Sequence, residues 1–256
     1  MNARKTTLVT GANQGIGTET CRQLKAAGFD VILTSRNEKA GRAAAEQIGV
    51  AYHRLDVTAP TDIAALAARL KKEGRRVDLL VNNAGTSMDG FNGEVVRQTL
   101  AVNFFGALAV TEGLLPLIPD EGAIVMVASG MGELHAYSPA IRARFSDPKL
   151  TRDGLVALVN EFAAAVDAGE HAAKGWPTSA YRVSKAALIA YAKILARELA
   201  ARRIRVNAAC PGWVRTRMGG RGATRTLEEG AASIIATSLD ATANGGFFRD
   251  GKALNW

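Results

Sequence analysis

Cysteine is scarce in this chain. Two residues, Cys21 and Cys210, stand too far apart for metal-ligand spacing and form no disulfide framework, a usage that suits a reducing compartment. No metal is therefore expected, and neither thiol is predicted to be catalytic. The chain also lacks any run approaching the roughly 20 apolar residues that a bilayer span requires. After the basic Met1–Lys5 segment the apolar stretch is too short for a signal peptide and runs straight into glycines. These absences predict a cytoplasmic protein without a membrane partner. Clustered charge of one sign is missing as well. The formal charge is +8, but Lys and Arg are spread along the chain, which argues against a nucleic-acid partner and for a solvated basic surface with some attraction for anionic ligands.

What is present is enough apolar material for one sizeable core. At 256 residues and 48% hydrophobic composition, the chain is expected to form one α/β domain over residues 1–256. Thr6–Thr10 is a β-rich run ending in the glycine cluster Gly11-Ala-Asn-Gln-Gly15-Ile-Gly17, and Thr18–Ala27 reads as a helix. Strand, glycine turn and helix are the context in which backbone approaches a pyrophosphate and a helix N-terminus meets its charge. Asp30–Ser35 reads as a second strand. Its tip carries Ser35 and Arg36 and no acid, which favours a ribose 2′-phosphate over a 2′-hydroxyl and hence NADP(H). An exposed Arg opening the helix at 37–48 is the plainer alternative.

Ala51–Leu55 and Val77–Val81 are further strands, ending at Asp56 and at Asn82-Asn-Ala-Gly85, with a helix at 61–73 between them. Ala123–Val127 and Arg205–Ala209 follow, and Phe247-Phe248 is a candidate seventh. Strands alternating with helices imply a parallel sheet, whose ligands bind beyond the carboxyl ends of its strands. Gly11, Arg36, Asp56 and Asn82 all fall at those ends, and Ser129 follows the fifth strand at the same edge. Asn103 interrupts the apolar helical pattern of Leu100–Leu117 and needs a partner if buried.

Tyr181-Arg-Val-Ser-Lys185 places a phenol and an ammonium one helical turn apart, on one face of a helix that Thr178 or Ser179 is suited to cap. A nearby ammonium favours the phenolate, so Lys185 is expected to pull the phenol down from its ordinary value of about 10. That would make Tyr181 an acid or base near neutral pH. A tyrosine on an apolar helical face is otherwise a packing residue.

Thr10-Gly-x-x-x-Gly-x-Gly17, Asn82-Asn-Ala-Gly85, Asn103, Ser129, Tyr181-x-x-x-Lys185 and Pro211-Gly-Trp-Val-Arg-Thr216 occur together in the order of the short-chain dehydrogenase/reductase family, which the chain resembles from Thr6 nearly to Trp256. Within that family, Gly175-Trp-Pro-Thr-Ser-Ala-Tyr181 and Gly246-Phe-Phe-Arg-Asp-Gly251 resemble the monomeric carbonyl reductases and their menthone- and salutaridine-reductase relatives.

The resemblance implies an α/β, Rossmann-type, doubly wound parallel sheet of about seven strands with helices on both faces. It implies NADPH-dependent reduction of a ketone or aldehyde to an alcohol. Tyr181 would deliver the proton, Ser129 would hold the carbonyl oxygen, Lys185 would hold the nicotinamide ribose and Asn103 would anchor a water chain. Gly11, Asn13, Gln14, Gly15, Ile16 and Gly17 would line the nucleotide turn, Gln14 standing where several NADPH-preferring relatives have a basic residue. Arg36, Asp56 and Val57, then Asn83, Ala84 and Gly85, would hold the adenosine side. Tyr181, Lys185, Pro211, Gly212, Val214 and Thr216 would border the nicotinamide. The same resemblance admits a non-catalytic NADP(H)-binding regulator, although such a protein would usually have lost one of the four catalytic residues.

Ser129 and Tyr181 are separated by a helical insertion at about 131–176, in which Leu155, Leu158, Val159, Phe162 and Val166 recur at helical spacing. In the shorter members of the family, the helices carrying the catalytic Tyr and Asn form the subunit interface. An insertion covering that surface in cis implies a monomer. Met131, Trp213 and Met218 flank the catalytic segments and read either as a wall for a bulky apolar carbonyl substrate or as core.

Overall fold

The structure, a computed structural model, describes residues 4–240 and 243–256; the first three residues of the N-terminal basic segment lie outside it. The chain alternates as expected: β1 (Thr6–Val9), α1 (Gly15–Ala26), β2 (Asp30–Ser35), α2 (Glu38–Ile48), β3 (Ala51–Arg54), α3 (Pro60–Lys72) and β4 (Leu79–Asn82). A long helix follows in three pieces: α4 (Gly93–Leu100), a π-helical turn (Ala101–Phe105) and α5 (Gly106–Leu114). Then come β5 (Ala123–Val127), α6 (Pro139–Ser146), α7 (Arg152–Asp167), α8 (Ala180–Glu198), β6 (Arg205–Ala209), α9 (Leu227–Leu239), β7 (Phe247–Arg249) and β8 (Lys252–Ala253).

The sheet order is β3-β2-β1-β4-β5-β6-β7-β8, parallel from β3 to β7. Alternation of side chains across each strand divides the core into two layers. Leu8, Ile32, Leu80 and Ile124 face the cluster that includes residues of α3, α5, α7 and α8. Val9, Leu33, Val81 and Val125 face the cluster with Cys21 and Leu24 of α1 and Ile234 of α9. Cys21 is a core thiol, which burial pushes up to about 12 and so leaves unreactive.

Three expectations need correction. The sheet has eight strands rather than about seven, because Asp250 (φ 53°) and Gly251 (φ 72°) turn the chain back so that β8 pairs antiparallel with β7. An Asp-Gly pair is a strong hairpin signal, so this strand was legible. The insertion contains α6 as well as α7, and α6 shows no helical stripe of its own in the sequence. Finally, the helix Gly93–Leu117 is long and apolar enough to cross a bilayer by length and composition. It is a core helix here: Val96, Leu100, Phe104, Val110 and Leu114 are all buried.

α7 lies against α4 and α8. Thr151 caps its first turn by accepting from Gly154 N at 3.1 Å, and Leu155, Leu158, Val159 and Phe162 are buried while Val166 is half-buried. Removing the Phe162 ring would cost roughly 3–5 kcal/mol, as for a buried aromatic. Its ring joins Trp176, which meets Tyr137 and Phe145 edge-on. Ion pairs at the edges, Arg97 with Asp167 and Arg152 with Glu112 and Glu198, set register rather than add much stability, since they are partly exposed.

Candidate active site

The first βα turn is built onto the end of β4. Thr10 Oγ1 accepts from the backbone N–H of Asn83 and Ala84, both at 3.0 Å, while Asn83 Nδ2 donates to Thr10 O at 2.8 Å and Gly11 O at 3.2 Å. That closeness is why glycine is required. A Cβ on Gly11 (φ +62°) would stand 2.7 Å from Ala84 Cα, and one on Gly17 would stand 2.5 Å from Asn83 Nδ2. α1 begins at Gly15, three residues earlier than the sequence pattern suggests, with Gln14 in the cap position making no side-chain cap bond and no acid in the first turn. Asn13 and Ile16 are half-buried and Gln14 is exposed. The turn leaves helix N–H groups free for an anion, so these residues fit a dinucleotide pyrophosphate.

At the tip of β2, Ser35 is buried and donates to Asn37 O, whereas the Arg36 side chain is 75% exposed. Its Nε stands 4.0 Å from Asp56 Oδ2. Arg36 is thus a largely exposed cation at the β2 tip, only loosely paired with Asp56. Desolvation raises the Asp56 carboxyl, but hydrogen bonds from Thr58 and the charges of Arg36 and Arg54 outweigh it and hold the group below its ordinary value. Val57 packs into Gly106 of α5 and belongs to the core on its side-chain side. Gly85 is exposed, and a Cβ there would meet Asn103 Oδ1 at 3.5 Å and Lys185 Nζ at 3.6 Å.

Tyr181 and Lys185 lie in the first two turns of α8, which Ser179 caps by accepting from Arg182 N at 3.3 Å. Ser129 reaches them because the loop after β5 is pressed onto this helix: a Cβ on Gly132 would stand 2.8 Å from the Lys185 carbonyl carbon. Asn103, fully buried in the π turn, donates to Thr86 O (2.9 Å) and Ser184 Oγ (3.0 Å) and accepts from Thr86 N (2.7 Å). Ser184 in turn donates to Tyr181 O. All four residues of the predicted set therefore converge, and Asn103, from the π turn, ties the segment after β4 to α8.

The electrostatics differ from the expected form. Lys185 is buried, donates from Nζ to Val127 O at 2.8 Å and stands 5.5 Å from the centre of the Tyr181 ring. Burial pulls the ammonium down to about 8. Desolvation pushes the Tyr181 phenol up to about 12, with a Ser129 hydrogen bond acting the other way. The predicted depression of the phenol by Lys185 is not what this geometry produces, because burial of the hydroxyl dominates.

Ser129 and Tyr181 line a cavity of about 760 Å³ together with Ile16, Gly212, Val214 and Thr216. Val214 anchors its loop by packing on Gly230 of α9, Pro211 is buried, and Thr216 Oγ1 accepts from Gly219 N at 2.9 Å. Met131 (41% exposed), Trp213 (57%) and Met218 (50%) also line the cavity, so the core reading of these three fails. The Trp213 indole N–H donates to Gly219 O at 2.9 Å. Met88, Cys210, Arg225 and Arg249 line it too and were not among the candidates. For Arg249 the signal existed, since it ends a strand of a parallel sheet.

The fold and this site define a dinucleotide-binding α/β protein with a Ser-Tyr-Lys-Asn set at one sheet edge. The short chain dehydrogenase family model matches residues 5–141, and a model described as enoyl-(acyl carrier protein) reductase matches residues 133–243. The chain belongs to the short chain dehydrogenase family. It is 39% identical over 278 residues to carbonyl reductase (NADPH) 1 of Mus musculus, covering 100% of this chain and 99% of the mouse protein. In structure it resembles salutaridine reductase from Papaver somniferum, with a TM-score of 0.90 at 30% identity over 96% of this chain and 99% of that one. Menthone neomenthol reductase from Mentha piperita gives a TM-score of 0.83 at 30% identity, covering 96% and 98%.

Proposed function

We propose that this protein is a cytoplasmic, single-domain, NADP(H)-dependent carbonyl reductase that converts a ketone or aldehyde to an alcohol. The observation that carries the reading is that the Ser129 and Tyr181 side chains share one cavity with the nucleotide turn and the 211–216 segment. The names of the related proteins support NADPH as the reductant.

Bound between the Gly11–Gly17 turn, the Asn83–Gly85 segment and Thr216, NADPH would supply a hydride to the carbonyl carbon. Ser129 donates to the carbonyl oxygen and fixes it beside Tyr181. With its phenol pushed up to about 12, Tyr181 is protonated at neutral pH and acts as the acid, handing its proton to the oxygen as charge develops there. Lys185, charged below about pH 8, stabilises the phenolate left behind and holds the nicotinamide ribose. Asn103 holds the segment after β4, at Thr86, against Ser184 of α8.

α7 covers α4 and α8, the faces through which shorter family members associate, so the protein is a monomer in this reading. The test is NADPH oxidation followed at its absorbance band against a panel of ketones, quinones and terpenoid and alkaloid carbonyls. Tyr181→Phe should lower turnover on the order of 10²–10⁴-fold while NADPH affinity by fluorescence titration barely moves. Near-normal turnover in that variant would sink the mechanism.

A further inference from the structure

Arg249 is the last residue of β7 and lines the same cavity as Ser129 and Tyr181. It is half-buried, and its Nε and Nη2 donate to a single weak acceptor, Cys210 Sγ, at 3.4 and 3.2 Å. Among the described residues no carboxylate lies within 4.0 Å of it. The cavity's other arginine is in a different condition: Arg225 is gripped by both oxygens of Asp250 at 2.7 and 2.9 Å and donates to Glu229 O. Arg249 Nη2 stands 3.0 Å from the point a Cβ on Gly130 would occupy, and Glu133 Oε1 stands 3.4 Å from that point without pairing with it. Glu133 instead lies 3.6 Å from His135.

Sheet order says which ligand this cation faces. From β1 the strands run β4, β5, β6, β7, so Ser129 at the end of β5 separates Arg249 from the phosphate-binding turn after β1. At about 4.8 Å per strand, β7 is roughly 19 Å from β1 but only about 10 Å from β5. The guanidinium reaches back toward Gly130, the residue after Ser129. It therefore borders the carbonyl end of the cavity, on the side away from the pyrophosphate. The charge of Arg249 is felt by the neighbouring Asp250, but both oxygens of that carboxylate are held by Arg225, so the Arg249 fork keeps no carboxylate in hydrogen-bond contact; a guanidinium fork matches a carboxylate with two parallel hydrogen bonds.

We propose that Arg249 is the anion-binding residue of the substrate pocket, and that the preferred substrate is an oxo acid whose carboxylate lies a few bonds from the carbonyl. The inference rests on the carbonyl-reductase reading and narrows its substrate class. The apolar rim of Met131, Trp213 and Met218 takes the remainder of the molecule.

Matched pairs of an aryl-substituted oxo acid and its methyl ester test this by NADPH oxidation. In the unaltered protein kcat/KM should favour the acid by roughly ten- to hundredfold, and the preference should shrink as salt rises from about 0.05 to about 0.5 M. Arg249→Gln should erase the preference mainly through KM for the acid, Arg249→Lys should restore part of it, and Arg69→Gln, on the exposed face of α3, should leave it intact. Equal turnover of acid and ester by the unaltered protein would overturn the proposal while leaving the reductase reading standing. So would an Arg249→Gln variant that loses NADPH affinity and slows both substrates alike, or one that only melts earlier with its preference unchanged. Should no carbonyl be reduced, the reductase reading fails. Titration of the NADPH-bound protein with hydrocinnamate against its amide still decides the site, and absence of a preference for the carboxylate counts against it.

Discussion

Lys185→Met offers a measurable signature of the buried ammonium. In the folded protein this group contacts Val127 O and is pulled from 10.5 to about 8 by burial. Below pH 8 the lysine is charged in both folded and unfolded chains, so it contributes no pH dependence. Above about pH 8, and up to 10.5, the unfolded chain holds a proton that the folded chain has released, and stability rises with pH by about 1.4 kcal/mol per pH unit. From pH 8 to 9.5 this amounts to ~2 kcal/mol. The methionine variant lacks the titration, so its stability relative to the unaltered protein should be highest near pH 7.5 and fall by ~2 kcal/mol near pH 9.5. Tyr137 and Tyr191, whose phenols burial pushes up, titrate alike in both proteins and cancel in the comparison; the folded Tyr181, pushed up to about 12, stays protonated through this range, and loss of a nearby ammonium can only raise it further. Urea unfolding followed by tryptophan fluorescence at about pH 7.5, 8.5 and 9.5 reads the difference, and turnover on the same samples should be largely lost in the variant at every pH. A difference in stability that stays constant across this range would refute the buried-ammonium reasoning.

Arg36→Asp should move the ratio of kcat/KM from NADPH toward NADH, because the new carboxylate repels a 2′-phosphate and accepts from a 2′-hydroxyl; equal use of both cofactors by the unaltered protein would show that Arg36 does not discriminate. Trp213→Ala should change the ranking of carbonyl substrates with little change in melting temperature, since the indole is 57% exposed; a collapsed melt with an unchanged ranking would return Trp213 to a structural role. Light scattering at micromolar concentration should give one chain's mass, 27.0 kDa, and a dimer mass would mean that α7 does not block association. Deleting the insertion should expose the apolar faces of α4 and α8 and cause aggregation; a soluble, monomeric deletion variant would argue against the covering role.

The features legible in the sequence are those in which local spacing and chemistry coincide. The glycine turn after β1, the strand periodicity and the Tyr181–Lys185 pair are short-range, and each carries its meaning within a few residues. The α7 stripe was legible for the same reason: an amphipathic helix displays its buried face in its own period. α6 carries too weak a stripe to announce itself, and its place depends on Phe145 finding Tyr137 and Trp176.

Tertiary structure decided whatever depends on distance through space. The partners of Asn103 come from Thr86 and Ser184, and no spacing in the chain announces them. Ser129 meets Tyr181 only because Gly132 lets the loop lie on the α8 backbone. The expected direction of the Tyr181 shift was wrong for the same reason. An ammonium four residues away argues for a lower value, yet desolvation by everything packed around the hydroxyl prevails, and burial is a property of the folded whole. Arg249 is the sharpest case: the sequence sets it at the end of a candidate strand but not beside the cavity. In the fold, the order of the strands sets it two places beyond β5, where its guanidinium borders the cavity without a carboxylate partner among the described residues.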